Sequence, residues 1–307
     1  MAISFSGVPG IRIGHAHDAG VRSGVTVIVP DAPVVMAVDV RGGGPGTRET
    51  DALDPSALVE RVHGLVLAGG SVFGLAAADE LVLCLAAAGH GLDFGTGIPR
   101  VPVVPAAILF DLGNGGDKAW GETPPYRRLA REAFAALGRN DASGAIGAGF
   151  GERAGARAGG IGSIGALLSS GHRIAALIAV NSFGEVYPGA PPDGAVPMPK
   201  LRRDAAPTLA DAPNTCIGAI ATDAPLTRVQ ARRVAMMAHD GLARSIRPIH
   251  TPFDGDTIFV MSTASDGVSD NVAVAEIGTV AADLVAAAVR RAVLADSFTE
   301  SDLSSRA

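Results

Sequence analysis

The chain has 307 residues, of which 48% are apolar and 18% charged, with a net charge of −6 and a pI near 5.6. Such a chain buries a substantial core in one large domain or two small ones, which excludes disorder. Its acidic balance leaves no electrostatic footprint for nucleic acid.

The first 10 residues, M-A-I-S-F-S-G-V-P-G, have neither the basic start nor the long apolar run of a signal peptide. Residues 24–30 and 33–40 are rich in β-branched side chains and bounded by Gly or Pro, as strands are. Residues 64–71 read as a strand, a glycine turn and a Ser71 N-cap, followed by an apolar helix over 72–88. Asp79 and Glu80 in its middle argue for burial in protein and against a bilayer span. Residues 101–112 look strand-like, with prolines that place them at an edge or bend. A short basic amphipathic helix spans 126–137.

Residues 173–184 form a continuous apolar run, the mark of a central strand. The proline-rich stretch 185–213 lacks periodicity and reads as a long loop or linker. A strand follows at 215–223, then a helix over about 228–246 announced by the capping-box pattern T-R-V-Q at 227–230. That helix should turn Val234, Met237, Ala238, Gly241 and Ser245 inward. A strand over 256–264 and a helix over 280–293 close the series. Apolar strands flanked by apolar helices imply sheets covered by helices in a layered α/β domain.

Cys84 and Cys216 lie in separate apolar runs, which fits a reducing, cytoplasmic setting without a disulfide framework. R-G-G-G-P-G-T-R-E at 41–49 lacks the Gly-Lys-Ser/Thr ending of a phosphate loop. Gly42–Gly44 are therefore read as a tight turn that lets backbones pack closely. Gly70 and Ser71 could still lend backbone N–H groups to a pocket. H-A-H at 15–17 is the only close histidine pair and lacks a carboxylate or Cys at metal spacing, and no G-x-S-x-G anchors a Ser-His-Asp triad, so the remaining candidates must work without histidine.

Two candidates carry chemistry. D-G-D at 254–256 could bind a cation, tune a nearby nucleophile, or be a solvated turn. Asn214-Thr215 stands at a strand head, beside Cys216. A threonine hydroxyl needs a base within reach. Cutting the preceding peptide bond would free the α-amine of Thr215, which titrates near pH 7.7–8.0 and can serve as that base.

The stretch around Asn214-Thr215 and the run H-T-P-F-D-G-D-T-I-F at 250–259 resemble the DmpA-type L-aminopeptidase/D-esterase family of self-cleaving hydrolases. The likeness extends through V-P-G-I-R-I-G-H (8–15), V-R-G-G-G-P-G-T-R-E-T-D (40–51), L-A-G-G-S-V-F-G-L-A-A-A-D (67–79), I-A-V-N-S-F-G (178–184) and A-H-D-G-L-A-R-S-I (238–246). Thr at the cut and D-G-D downstream are most similar to the family's nylon-oligomer hydrolase branch.

The resemblance implies a four-layer αββα sandwich in one catalytic domain, self-cleaved into residues 1–214 and 215–307. Thr215 would be the nucleophile, Asp254 and Asp256 would orient it, and Asn181 would polarise a carbonyl. Two positions depart from that branch: Phe110 replaces a Tyr, and Ala156 replaces a Lys. Arg157 beside it could stabilise an oxyanion but could not act as a base. No cofactor or metal is implied. The expected partner is a peptide or small-molecule amide or ester, not a membrane, and family members are usually homo-oligomers, often tetramers. Ornithine-acetyltransferase-like acyl transfer and a non-catalytic binding homologue are the alternatives. Because a strand alternates its faces, Thr215 and Cys216 point opposite ways, with Cys216 expected as a small buried hydrophobe.

Overall fold

The structure is a computed structural model and describes residues 3–192 and 214–294. In chain order the first strands are β1 (Ile11–Asp18), β2 (Ser23–Pro30), β3 (Val35–Val40), β4 (Thr47–Arg48), β5 (Leu65–Ala68) and β6 (Ala106–Ile108). Then come the ribbon β7 (Arg153–Ala154) and β8 (Arg157–Ala158), β9 (Gly160–Leu167), β10 (Arg173–Asn181), β11 (Glu185–Val186), β12 (Thr215–Thr222), β13 (Ile246–Arg247) and β14 (Thr257–Ser262). The helices are α1 (Ala76–Ala87), α2 (Tyr126–Ala135), α3 (Arg228–Ala243) and α4 (Asn271–Val293).

Two five-stranded sheets form the centre, in the orders β1-β2-β5-β6-β4 and β3-β14-β12-β10-β9. They pack face to face. Ile13, Ile28, Leu65 and Leu67 of the first meet Met36, Leu177, Ile217, Phe259 and Met261 of the second in one buried core. The outer face of the first sheet, with Val25, Val27 and Val66, is covered by Leu81 and Leu85 of α1 and Leu129 of α2. The outer face of the second, with Ile178, Val180, Cys216 and Ile220, is covered by Val234 of α3 and Val285 and Val289 of α4. The layers are thus helices, sheet, sheet, helices, as the αββα expectation requires.

The period of two carries this arrangement. Ile174, Ala176, Ile178 and Val180 of β10 face the helices, and Ala175, Leu177 and Ala179 face the other sheet. β12 is buried over its whole length and lies at the centre of its sheet, parallel to β14 and antiparallel to β10.

Several boundaries differ from expectation. Within 101–112 only Ala106–Ile108 is strand, because Pro102 and Pro105 cannot donate to a ladder. Ser71 opens a 3-10 turn to Leu75 instead of capping α1, and Gly70 occupies the cap position without a side-chain bond. The outer side of this segment is exposed at Val72, Phe73 and Leu83, so the helix is buried on one face only. α3 has the expected capping box, with Thr227 and Gln230 bonding reciprocally. Of its expected inner face, Met237 is half-buried against Gly278 of α4 and the rest is buried.

α4 begins at Asn271, where the Asp270 side chain accepts from the Ala273 N–H, well before position 280. It is long and apolar enough to cross a membrane, yet most of it is buried against α3, β9 and β10. Strands β1 and β9 were not foreseen; their glycines and histidines dilute the apolar pattern. Within the expected loop 185–213, Glu185–Val186 pairs with Ile246–Arg247. Residues 193–213 lie outside the described residues.

Candidate active site

Thr215 opens β12 at the end of the cleft between the sheets. It pairs across the ladder with Asn181, the last residue of β10, and both are buried. Ile217, two residues on, packs between the sheets, whereas Cys216 packs under the helices. The two neighbours therefore face opposite sides, as the alternation requires. Burial first, and the charge of Asp256 second, push the Cys216 thiol well above its ordinary pKa. A thiol held protonated in that way is a poor nucleophile.

The Thr215 side chain lines a cavity of about 350 Å³. Its walls come from the glycine loop (Gly44, Pro45, Gly46), the turn before α1 (Ser71, Val72, Leu75), Ile108 and Phe110, and Asn214 and Phe253. The Thr215 hydroxyl donates to the Asn214 carbonyl at 2.6 Å. The Gly255 N–H donates to the same carbonyl at 3.2 Å. Asn214 also forms a parallel bridge with Asp254. The bond between Asn214 and Thr215 is thus held by the D-G-D loop, with its carbonyl bonded on two sides.

The two carboxylates of that loop are fully buried. Asp254 accepts through Oδ2 from the N–H (2.7 Å) and hydroxyl (2.6 Å) of Thr251. Its Oδ1 has no partner among the described residues. Burial, and then the neighbouring charge of Asp256, raise the Asp254 pKa to about 6. Asp256 accepts through Oδ1 from the Cys216 N–H at 2.7 Å. Its Oδ2 faces His250, at 2.7 Å from Nδ1 and 3.2 Å from the backbone N. In the uncleaved chain, then, these carboxylates bond to Thr251, His250 and the backbone of β12 rather than to the Thr215 hydroxyl.

Asn181 is gripped at both ends. Its Nδ2 donates to the Phe110 carbonyl at 2.9 Å, and its Oδ1 accepts from the Arg153 N–H at 3.1 Å. The glycine loop packs as a close turn. Gly42 has φ +96°, and a Cβ there would lie 2.3 Å from the Asp254 carbonyl oxygen. Gly44 N–H donates to that same oxygen at 2.9 Å. The loop is a cavity wall clamped to the D-G-D segment.

Other expected contributors stand elsewhere. The Gly70 N–H donates to Asp111 and the Ser71 N–H to the Leu109 carbonyl, each at 2.8 Å, so neither is free for a substrate. Ser71 still lines the cavity and Gly70 does not. Arg157 and Ala156 are exposed on the β7–β8 ribbon, outside the cavity lining.

Histidine, which the sequence left out, enters through His250. This residue has φ +57° and lies in edge contact with the buried His239, ring centroids 5.0 Å apart. Burial lowers the His239 pKa to about 4. The signal for His250 was its place six residues before Asp256, which has no fixed meaning in a loop. Among the described residues no group of three or more His, Cys, Asp or Glu could hold a metal ion.

The profile of Peptidase family S58 matches residues 4–303. An uncharacterized aminopeptidase of Mycobacterium tuberculosis (strain ATCC 25618 / H37Rv) is 41% identical, over 95% of this chain and 93% of its own. A 6-aminohexanoate-oligomer endohydrolase of Paenarthrobacter ureafaciens is 30% identical, over 83% and 73%. Two solved structures share the fold. A Burkholderia sp. beta-aminopeptidase has a TM-score of 0.74 at 23% identity, covering 94% of this chain and 86% of that one. The L-aminopeptidase D-Ala-esterase/amidase from Ochrobactrum anthropi has 0.71 at 20%, covering 94% and 85%. A buried threonine at a strand head, facing a cleft between two sheets on an αββα frame, fits that company, and the chain belongs to Peptidase family S58, the DmpA-type peptidases and amidohydrolases.

Proposed function

We propose that the protein is a self-processing amidohydrolase in which Thr215 is first the agent of its own release and then the nucleophile. The observation that carries this reading is the contact of the Thr215 hydroxyl with the Asn214 carbonyl, which also accepts from Gly255. The hydroxyl oxygen attacks the Asn214 carbonyl carbon. The Asn214–Thr215 C–N bond breaks, and the hydroxyl proton ends on the departing α-nitrogen. Water hydrolyses the resulting ester, leaving the Asn214 carboxylate and a free Thr215 hydroxyl and amine. The Gly255 N–H is placed to stabilise the oxyanion of the first step.

In the processed enzyme the Thr215 amine takes the hydroxyl proton as the oxygen attacks a substrate carbonyl. The amine then returns that proton to the leaving amine, and water releases the acyl group. Asn181, held in one orientation at both ends, polarises the carbonyl under attack. The walls formed by Val72, Leu75, Ile108, Phe110 and Phe253 suit an apolar acyl chain of a peptide, amino-acid amide or oligoamide.

Intact-mass measurement tests the first stage. The purified protein should resolve into residues 1–214 and 215–307. Thr215→Ala should stay whole, and Cys216→Ala should still be cut. A single 30.8 kDa species after long incubation at neutral pH would sink the reading. Cleavage that needs Cys216 and not Thr215 would reassign the nucleophile.

A further inference from the structure

The two backbone groups that grip Asn181 belong to residues 110 and 153, and each has a buried carboxyl as its sequence neighbour. Asp111 follows Phe110, and Glu152 precedes Arg153. Asp111 is 3% exposed and Glu152 4%. Both Glu152 oxygens are buried without a partner among the described residues, and the Ser23 hydroxyl bonds Asp111. The two carboxyls are within hydrogen-bonding reach of each other. A buried Glu152 with both oxygens orphaned beside the Asp111 carboxyl would be costly as a second carboxylate, whereas one proton between the two supplies the missing donor.

We infer that Asp111 and Glu152 share one proton, and that this carboxyl pair is a positioning device tying together the two segments that hold the Asn181 amide. The inference rests on the proposed role of Asn181 in the reaction. The pair does not touch the substrate. It keeps the Phe110 carbonyl and the Arg153 N–H at a fixed separation, so that Asn181 can satisfy both and hold one orientation beside Thr215, its partner across the ladder.

Burial raises both carboxyl pKa values, and the charge of Asp111 raises that of Glu152 further. The groups facing the pair set its limits. Lys118 attracts both, and its own pKa is lowered by burial. Lys118 also donates to the Val21 carbonyl and to Asn114, and Arg22 lies beside it. The Gly70 N–H donates to Asp111 Oδ1. Tyr126 of α2, paired with Ser23 at 3.1 Å, stays protonated because burial and then Asp111 push its pKa up. The neutral Cys216 thiol lies on the side of β12. Lys118 is the cation that acts on both carboxyls, and it balances the single shared charge. Loss of the proton as pH rises leaves two carboxylates that repel, and the grip on Asn181 loosens.

Three proteins test this by steady-state kinetics across pH on the processed enzyme, with an amide substrate. Glu152→Ala should lower kcat by roughly tenfold to hundredfold with KM nearly unchanged, because a displaced polarising group costs mainly in the transition state. Glu152→Gln, whose amide can donate permanently to Asp111, should recover most of that loss and lack the parent's fall as pH rises. Infrared spectra of the uncleaved Thr215→Ala chain at pH 8, where Asp254 is ionised, should show a protonated carboxyl that disappears on adding Glu152→Gln.

Equal kcat and parental pH profiles in the Ala and Gln variants would overturn the positioning role. Absence of the protonated carboxyl would overturn the shared proton. Should Glu152→Ala fail to fold, the Gln variant and the infrared band still decide. Failure of the wild-type chain to process would defeat the Thr215 reading instead, and the infrared result, taken on uncleaved protein, would stand apart from it.

Discussion

At the scale of single residues, Gly255 and Asp254 set the terms of the site. A Cβ on Gly255 would lie 3.0 Å from the Thr215 hydroxyl oxygen and 2.5 Å from the Gly44 carbonyl oxygen. Gly255→Ala should therefore displace the N–H that bonds the Asn214 carbonyl and slow self-cleavage by about a hundredfold, as lost oxyanion donors do. A mass-spectrometric time course reads the rate, and cleavage at the wild-type rate would remove Gly255 from the mechanism. Asp254 gives a pH-dependent outcome. Its folded pKa of about 6 lies above the ordinary carboxylate value near 3.9, so the fold favours its neutral form. Stability is lost as pH rises through that window, because the unfolded chain ionises first. Asp254→Asn should raise the melting temperature at pH 7.5, lose that advantage below pH 4, and impair processing. Equal melting at both pH values would refute the assignment. The alternation at Thr215 and Cys216 was legible in the sequence because it needs only the strand's period. The partners of the carboxylates, Thr251 and His250, were not, because loop contacts have no period.

At the scale of elements, β12 carries Thr215, the proposed nucleophile, and the helices over it hold the sheet. Its outward residue Ile220 is fully buried beneath α3 and α4. Ile220→Ala should cost about 2–5 kcal/mol, read as a shift of the urea midpoint. The N-cap of α3 is a smaller contributor. Thr227→Ala removes the hydroxyl that accepts from the Gln230 N–H, leaves the reciprocal bond from the backbone of residue 227, and should cost about 1 kcal/mol in the same measurement. A cost as large as that of Ile220→Ala would mean the cap anchors more than its own helix. The capping box was readable because its bonds join residues three apart. The length of α4 was underestimated because Asp270, its cap, is separated from the most apolar run by mixed residues.

At the scale of the molecule, the proposed cut falls inside a sheet. β12 and β14, from residues after 214, lie between β3 and β10, from residues before it. Both sides of the cut contribute to the core between the sheets. The processed protein should therefore migrate as one particle in native gel filtration and give two chains under denaturing conditions. Separation of the two pieces without denaturant would contradict this interleaving. The homo-oligomer suggested by resemblance remains a proposal, with Val72, Phe73 and Leu83 as exposed apolar positions for a partner copy to cover. Sedimentation of a Leu83→Asp variant beside the parent would test that face.

The sequence alone determined which residues are candidates for the chemistry, which strand carries them and which way each side chain turns, since these follow from side-chain chemistry and local periodicity. Its resemblance to a family carried the pairing of Thr215 with the D-G-D loop. Only the tertiary structure decided that β3 leaves its neighbours β1 and β2 to join the second sheet, that His250 and Thr251 occupy the carboxylates, and that Asn181 bonds the backbone next to both Asp111 and Glu152. Such contacts join residues far apart in the chain or placed in irregular loops. They depend on how the layers pack, and no local pattern encodes that packing.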